Sequence, residues 1–185
     1  MFSYKRNPYD SSSIEHLFDM NLINRVIGSS IIRGFDFDKD WEDAFKLPNF
    51  DEYDFIPPKN AKRFDRSIAD EFIPEIKKMV GQDDVISGGF IIYPPTGYLG
   101  WHTNYNVPCK RLYITYASED KKSFFRYRHP DTKEIITDYD DRGITIREFN
   151  VFDKPPYFWH CVGSDCVRIS FGYRINPPEI NNTLN

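Results

Sequence analysis

From Val85 onward, apolar and polar residues alternate in short runs, which is the pattern of half-buried β-strands. Clusters of turn-forming residues separate the runs, as in the stretches Pro94–Gly97 and Asp140–Gly143. Short strands at even spacing are typical of a β-sandwich or barrel. The eight predicted strands are residues 85–93, 99–104, 110–117, 123–129, 133–138, 143–151, 157–162 and 166–175.

The first 84 residues instead show apolar side chains at helical spacing. Each apolar stripe is short, as in Leu17, Met20 and Ile23, so we expect it to pack against the β-rich part of the chain. Pro74 predicts a kink or a break in the last helix of this region. The predicted elements are helices over residues 15–27, 40–47 and 67–80 and a short strand over residues 30–37.

The length of the chain, 185 residues, suits a single domain with one full core. Aromatic residues make up 17% of the sequence, so apolar surface for such a core is ample. We interpret the chain as one domain made of a helical support region (residues 1–84), a β core (residues 85–175) and a polar tail (residues 176–185).

Charge and cysteine usage narrow the possible partners and the compartment. A net charge of -4 argues against a nucleic-acid partner, which usually requires a basic face. The stretch Phe124–Arg128 alternates aromatic and basic residues, and with this net charge we interpret it as a strand with a solvated arginine face. The three cysteines form no CxxC pair and indicate a reducing compartment. Because no signal-like apolar core and no run of about 18 apolar residues occurs, we expect a cytoplasmic protein that does not enter a membrane.

Two histidines and an asparagine are candidate metal ligands. In an extended strand, residues two apart project to the same face, so His102 and Asn104 would point together. His160 lies in the seventh predicted strand. Two imidazoles and one oxygen ligand, with open positions on the metal, are typical of non-haem Fe(II) oxygenases. The alternative for each histidine is an ordinary hydrogen-bonded residue of a loop or of the core.

Arg168 is the next candidate, because it lies inside an apolar predicted strand. It shares one face of that strand with Ser170, while Ile169 and Phe171 project to the other face. An arginine in this setting either faces solvent or needs an anion inside the protein. We expect it to hold the distal carboxylate of a keto-acid co-substrate through a bidentate pair. The acidic run Asp138–Asp141 is interpreted as a turn.

The order of these residues resembles that of the Fe(II)/2-oxoglutarate-dependent oxygenases. That family places a histidine–x–carboxylate pair on the second strand of an eight-stranded jelly roll, a distal histidine on the seventh strand and a basic residue on the eighth. His102, His160 and Arg168 lie on predicted strands two, seven and eight. Tyr93, nine residues before His102, is similar to a tyrosine of the prolyl-hydroxylase-like branch. Arg168 and Arg174 resemble the R-x5-R pattern of the AlkB-like branch, in which both arginines face the keto acid.

The resemblance covers residues 85–175 and implies a mainly β fold with flanking helices and a double-stranded β-helix (jelly-roll) core. It implies Fe(II) and 2-oxoglutarate as cofactors, O2 as a co-substrate, and hydroxylation of a small molecule or of a protein or peptide side chain. It assigns metal binding to His102, Asn104 and His160. It assigns 2-oxoglutarate binding to Arg168, Ser170, Tyr93 and Arg174.

Asn104 departs from the family pattern, which has aspartate or glutamate at this position. A neutral amide oxygen is a weaker ligand for a hard cation than a carboxylate. Either the site works with a weaker third ligand, or a carboxylate comes from elsewhere in the chain, or metal binding has been lost. The last case would leave a non-catalytic jelly-roll module that binds an anionic small molecule or peptide. A further alternative is an AlkB-like demethylase that acts on a nucleobase.

Overall fold

The secondary structure consists of short helices near the start of the chain and a long series of strands after them, in a computed structural model that describes residues 2–32, 58–104, 108–152 and 154–176. The helices are α1 (Ser12–Glu15), α2 (Met20–Ser29), α3 (Arg66–Asp70) and α4 (Ile73–Val80). The strands are β1 (Tyr4–Arg6), β2 (Ile31–Ile32), β3 (Pro58–Lys59), β4 (Lys62–Arg63), β5 (Val85–Tyr93), β6 (Gly97–His102), β7 (Cys109–Ala117), β8 (Ser123–Arg128), β9 (Ile135–Tyr139), β10 (Gly143–Val151), β11 (His160–Ser164) and β12 (Arg168–Ile175). The helix predicted over residues 40–47, most of the strand predicted over 30–37 and the tail beyond residue 176 lie outside the described residues.

Strands β5 to β12 form a jelly roll of two antiparallel sheets. Within the described residues, the larger sheet has seven strands in the order β1-β10-β7-β12-β5-β4-β2, and the smaller has five in the order β3-β6-β11-β8-β9. Each of the eight strands predicted in the core has a counterpart among β5–β12, with ends that differ by up to three residues. The prediction of a mainly β fold with flanking helices and a jelly-roll core is therefore confirmed.

The helices cover one face of the seven-stranded sheet. Asp19 begins α2 by accepting a hydrogen bond from the Leu22 backbone N–H at 2.8 Å, which satisfies one of the open donors of the first turn. The buried side chains of α2 belong to the same apolar cluster as residues of the central strands, such as Ile114 and Phe171. Among the described residues, no helix is long and apolar enough to span a membrane.

Pro74 divides the helix that the sequence predicts over residues 67–80. The structure has two helices here, and Pro74 lies in the first turn of α4, where its missing N–H leaves no hydrogen bond unmade. Gly81 ends α4 in a left-handed conformation with φ of 66°, which glycine adopts without steric cost. The start of the chain also adds an edge strand, because β1 pairs with β10.

The opposite face of the seven-stranded sheet, called the inner face below, packs against the five-stranded sheet. Aromatic side chains fill most of this space, among them Tyr93, Tyr113 and Phe149 from the larger sheet and Phe125 and Phe158 from the smaller sheet or next to it. Ring centroids of Phe149 and Phe158 lie 4.7 Å apart, so the two sheets are in direct contact. This dry space is the setting in which the candidate site lies.

A cluster of buried charges lies at one end of the inner face. Asp140 is fully buried and accepts hydrogen bonds from Arg147, from Ser123 and from Arg168, whose Nε lies 2.9 Å from Asp140 Oδ2. Asp138 forms a second ion pair with Arg147. Burial alone would raise the pKa of Asp140, but the charges of Arg168 and Arg147 outweigh burial and hold this pKa well below its usual value. From the sequence, this acidic run is interpreted as only a turn. In the structure, the run supplies the counter-ion of two interior arginines.

We expect Asp140→Asn to destabilise the fold by about 3–5 kcal/mol, because it leaves two buried guanidinium groups without their shared carboxylate. The folded-state pKa of Asp140 lies below that of an unfolded aspartate, so its stabilisation is complete above about pH 4 and is lost as the pH falls further. The difference in unfolding free energy between wild type and variant should therefore narrow in acid. Urea denaturation at pH 7 and at pH 3 measures both effects.

Asp141→Asn is the matched control. The Asp141 carboxylate is 43% exposed and pairs with Arg6 and Lys121, so its loss should cost less than about 1 kcal/mol. Equal stability losses in the two variants would contradict the role assigned to Asp140.

Candidate functional site

His102 and His160 face each other across two neighbouring strands. His102 ends β6 and His160 begins β11, and the antiparallel register places the two residues directly opposite each other. Their ring centroids lie 4.1 Å apart with an angle of 56° between the ring planes. Both side chains are buried. The two histidines that the sequence singles out are therefore brought together at one place on the smaller sheet.

A bulge in β6 turns His102 toward the inside. Leu99 pairs with Val162 and His102 pairs with His160, so two residues, Gly100 and Trp101, oppose a single residue of β11. Without this extra residue, simple alternation would make Trp101 the next residue after Leu99 to point inward. Trp101 packs instead in a cluster with Phe124, Trp159 and Cys161. Strand alternation alone does not reveal the bulge.

Backbone carbonyls hold both imidazoles in one tautomer. His102 Nδ1 lies 2.8 Å from the Gly100 carbonyl oxygen, and His160 Nδ1 lies 3.2 Å from that of Phe158. A carbonyl only accepts hydrogen bonds, so Nδ1 carries the proton and Nε2 presents its lone pair. Burial lowers the pKa of His102 to about 4 and that of His160 well below its usual value. Both rings are therefore neutral at pH 7, which is the form that binds metal ions.

Asn104 reaches the same region from a loop rather than from the strand. Strand β6 ends at His102, so the prediction that strand alternation aligns Asn104 with His102 does not apply. The Tyr113 hydroxyl donates a hydrogen bond to Asn104 Oδ1 at 3.1 Å, and the Tyr113 ring lies 6.3 Å from the His160 ring. Asn104 Nδ2 is buried and has no hydrogen-bond partner among the described residues. The amide therefore lies near the histidines, with its oxygen already engaged.

A small cavity adjoins the two histidines. It encloses about 30 Å³, which is room for one or two water molecules. Tyr93, Tyr113 and Ser170 line it together with His102 and His160. Two of the residues expected to contact a keto acid, Tyr93 and Ser170, therefore lie beside the histidines. Gly172 also lines the cavity, and its lack of a side chain makes room for Tyr113, since a Cβ there would lie 3.0 Å from the Tyr113 ring.

Arg168 is fully buried but does not line this cavity. Its guanidinium lies behind Tyr93, with Cζ 5.2 Å from the centre of that ring. Nε donates to Asp140 and Nη2 donates to Thr115 Oγ1 at 3.2 Å, while Nη1 has no partner among the described residues. The protein itself supplies the anion that the sequence reasoning expects from a ligand. The counter-ion could not be found from the sequence, because Asp140 is 28 residues from Arg168 along the chain.

Arg174, at the other end of β12, does not line the cavity either. It lies directly opposite Arg111 of β7. Within the described ranges, no group of three or more histidine, cysteine, aspartate or glutamate side chains could hold a metal ion. The described residues thus offer two imidazoles and one amide. They include no carboxylate from elsewhere in the chain that could take the place of the missing third ligand.

Comparison with known proteins yields a likeness of fold. No family model matches the chain, and no curated protein matches it either. Among solved structures, a prolyl-4-hydroxylase from Pseudomonas putida matches with a TM-score of 0.50 and 10% sequence identity, and the match covers 94% of this chain and 91% of that chain. The protein therefore shares the overall fold of a prolyl-4-hydroxylase.

Proposed function

We propose that the protein is an Fe(II)- and 2-oxoglutarate-dependent oxygenase that hydroxylates a small molecule or a peptide side chain. The observation that carries the proposal is the facing pair His102 and His160, buried and neutral, with both Nδ1 atoms bonded to backbone carbonyls. The shared fold with a prolyl-4-hydroxylase supports the same conclusion. Oxygenases of this class hold their iron by two histidines on the equivalent strands of the jelly roll.

The histidines fit a divalent metal as ligands through Nε2. His160 Nε2 is buried without a hydrogen-bond partner among the described residues, a costly state that a bound metal would relieve. Hydrogen bonds from Nδ1 to carbonyl groups orient metal-binding histidines in this way. Asn104 is the third candidate ligand, and its Oδ1 would have to exchange the Tyr113 hydroxyl for the metal. A neutral third ligand makes the site weaker than a carboxylate site.

The cavity between Tyr93, Tyr113 and Ser170 is the candidate site for the keto acid. It must widen to admit the molecule, and the Tyr93 ring, which lies between the cavity and Arg168, would have to move aside before the keto acid could reach Arg168. Since Asp140 and Thr115 occupy two donors of Arg168, a carboxylate arriving here would find only Nη1 open. We therefore replace the expected bidentate pair by a single charged hydrogen bond from Arg168 Nη1, assisted by the hydroxyl groups of Ser170 and Tyr93.

Bound iron and 2-oxoglutarate would supply the oxidising chemistry with O2, and the chain's residues would supply position and a dry environment. Aromatic rings surround His160: the centroids of Phe125, Phe149 and Phe158 lie 5.1, 5.8 and 5.4 Å from that of His160. This wall keeps bulk water away from the inward side of the histidine pair. The substrate would approach from the side of Asn104, which lies on a loop at the end of β6.

We expect His102→Ala and His160→Ala each to weaken Mn(II) binding at least about tenfold, since each removes one ligand, and tenfold corresponds to roughly 1.4 kcal/mol. Isothermal titration with Mn(II) under nitrogen measures this affinity. His16→Ala is the control, because His16 is exposed on the helical side of the chain and should not change metal binding. Wild-type affinity in both site variants would refute the metal centre.

Asn104→Asp should tighten Mn(II) binding by about tenfold, because a carboxylate adds the charge attraction that the amide lacks. Asn24→Asp, on the exposed side of α2, adds the same charge far from the site and should leave the affinity unchanged. The same titration compares the three proteins. If Asn104→Asp binds metal no better than wild type, Asn104 is not a ligand.

A further inference from the structure

Two arginine pairs lie at opposite ends of the inner face, and carboxylates of the described residues neutralise only one of them. Arg147 and Arg168 share the carboxylate of Asp140, and Arg147 also pairs with Asp138. Arg111 and Arg174 form no ion pair with any carboxylate of the described residues. Both pairs lie on the inner face of the same sheet, and each contains one arginine of β12, so the two ends of one strand differ in how their charge is balanced.

The geometry of the second pair is that of two like charges held side by side. Arg111 on β7 and Arg174 on β12 are direct cross-strand partners. Arg111 is only 2% exposed, and the Nε atoms of both arginines are buried without a hydrogen-bond partner among the described residues. The contacts of Arg111 are weak or uncharged ones, a 3.5 Å hydrogen bond from Nη2 to the Asn104 carbonyl oxygen and the neighbouring Cys109 thiol.

The backbone beside the pair is shaped to admit it. A register shift in the pairing of β5 with β12 falls next to Gly172, and on β5 the paired residues step from Gly89 to Ser87. A Cβ on Gly88, between them, would lie 2.8 Å from Arg111 Nη1 and 3.2 Å from Arg174 Nε. Only a glycine leaves both guanidinium groups in their present place.

In the absence of a ligand, this arrangement of two arginines lowers the stability of the protein. Like charges directly opposite each other on neighbouring strands repel, and buried donors without acceptors lose their hydration. Burial and then the charge of Arg111 lower the pKa of Arg174, which is the electrostatic sign of this repulsion. An anion between the two guanidinium groups would remove both costs, and planar guanidinium groups bind carboxylate and phosphate oxygens in pairs.

The pair lies close to the histidines but apart from the cavity beside them. Arg111 Nη2 donates to the backbone carbonyl of Asn104, whose side-chain oxygen accepts a hydrogen bond from Tyr113, and the Tyr113 ring lies 6.3 Å from the His160 ring. The Tyr113 ring covers Gly172, which separates Ser170 in the cavity from Arg174 on the same face of β12. An anion held by the arginines would therefore sit on the Asn104 side of the histidines rather than in the candidate keto-acid cavity.

We propose that Arg111 and Arg174 bind the carboxylate or phosphate group of an acidic substrate and so place that substrate beside His102 and His160. The identification of the ligand as a substrate rests on the proposed oxygenase function. The anion site itself rests on Arg111 and Arg174, which have no carboxylate partner among the described residues. The deep burial of Arg111 restricts the ligand to a small protruding anionic group. The proposal also assigns Arg174 to the substrate, whereas the R-x5-R pattern suggests that Arg174 faces the keto acid.

The test uses the full-length, metal-free protein and inorganic phosphate and acetate as probes. Thermal unfolding and isothermal titration give the apparent affinity for each anion in wild type, Arg111→Gln and Arg174→Gln. Lys110→Gln is the matched control, because it removes one positive charge from the same strand at an exposed position that pairs with Glu148. In parallel, the Mn(II)-loaded proteins are titrated with 2-oxoglutarate under nitrogen.

We expect at least one of the two anions to bind wild type, with affinity reduced about tenfold or more in each arginine variant and unchanged in Lys110→Gln. We also expect ligand-free Arg174→Gln to melt roughly 1–3 °C higher than wild type, because a repulsion is lost. A purely structural role would lower the melting temperature instead. Arg174 is only half-buried, so this variant keeps the test open if Arg111→Gln does not fold.

Three results would overturn the anion site: no binding of either anion to wild type, equal binding in Arg174→Gln and Lys110→Gln, or a lower melting temperature of ligand-free Arg174→Gln. If Arg174→Gln weakens 2-oxoglutarate binding as much as anion binding, the pair belongs to the co-substrate and the proposal is wrong. Failure of Mn(II)-loaded wild type to bind 2-oxoglutarate, with anion binding intact, would refute the oxygenase function while supporting the anion site.

Discussion

Positive charge enclosed between two sheets is the constraint on which the rest of the structure depends. Guanidinium groups keep their proton in any protein environment. An arginine on the inner face therefore either pairs with an anion or lowers the stability of the fold. Asp140 meets this need at one end, and it ties β10 and β12 to the turn after β9. That connection fixes the first residue of β12, the strand that also carries Ser170, Gly172 and Arg174 along the inner face.

The candidate site lies between the end of this face where Asp140 neutralises Arg147 and Arg168 and the end where Arg111 and Arg174 have no carboxylate partner among the described residues. Two neutral imidazoles occupy its centre, surrounded by aromatic rings on one side and by the amide of Asn104 on the other. Buried polar atoms that have no partner among the described residues gather here: Asn104 Nδ2, His160 Nε2 and the Nε atoms of Arg111 and Arg174. Native interiors contain few such atoms, so their concentration in one region is the physical sign of a place built for ligands.

Local pattern was enough to predict the core strands, whereas the meeting of His102 with His160 was predicted from the resemblance to a jelly-roll family. Alternation and turn residues act over a few neighbours, and the order of strands in a jelly roll then brings the ends of β6 and β11 together. The orientation of His102 depends on a bulge at Gly100 and Trp101, which no alternation rule reveals. The counter-ion of Arg168 and the partnership of Arg111 with Arg174 depend on strand register and on contacts between distant residues, so the sequence alone could not supply them.

The most direct test of the account is an anaerobic titration of the wild-type protein with Fe(II) and 2-oxoglutarate, followed by visible absorption. If the two histidines hold iron and the cavity beside them admits the keto acid, a weak charge-transfer band should appear only when both are present. The band should be absent from His160→Ala under the same conditions. An iron-loaded wild-type protein that shows no band at saturating 2-oxoglutarate would contradict the account, because the metal and the keto acid would then not meet at this site.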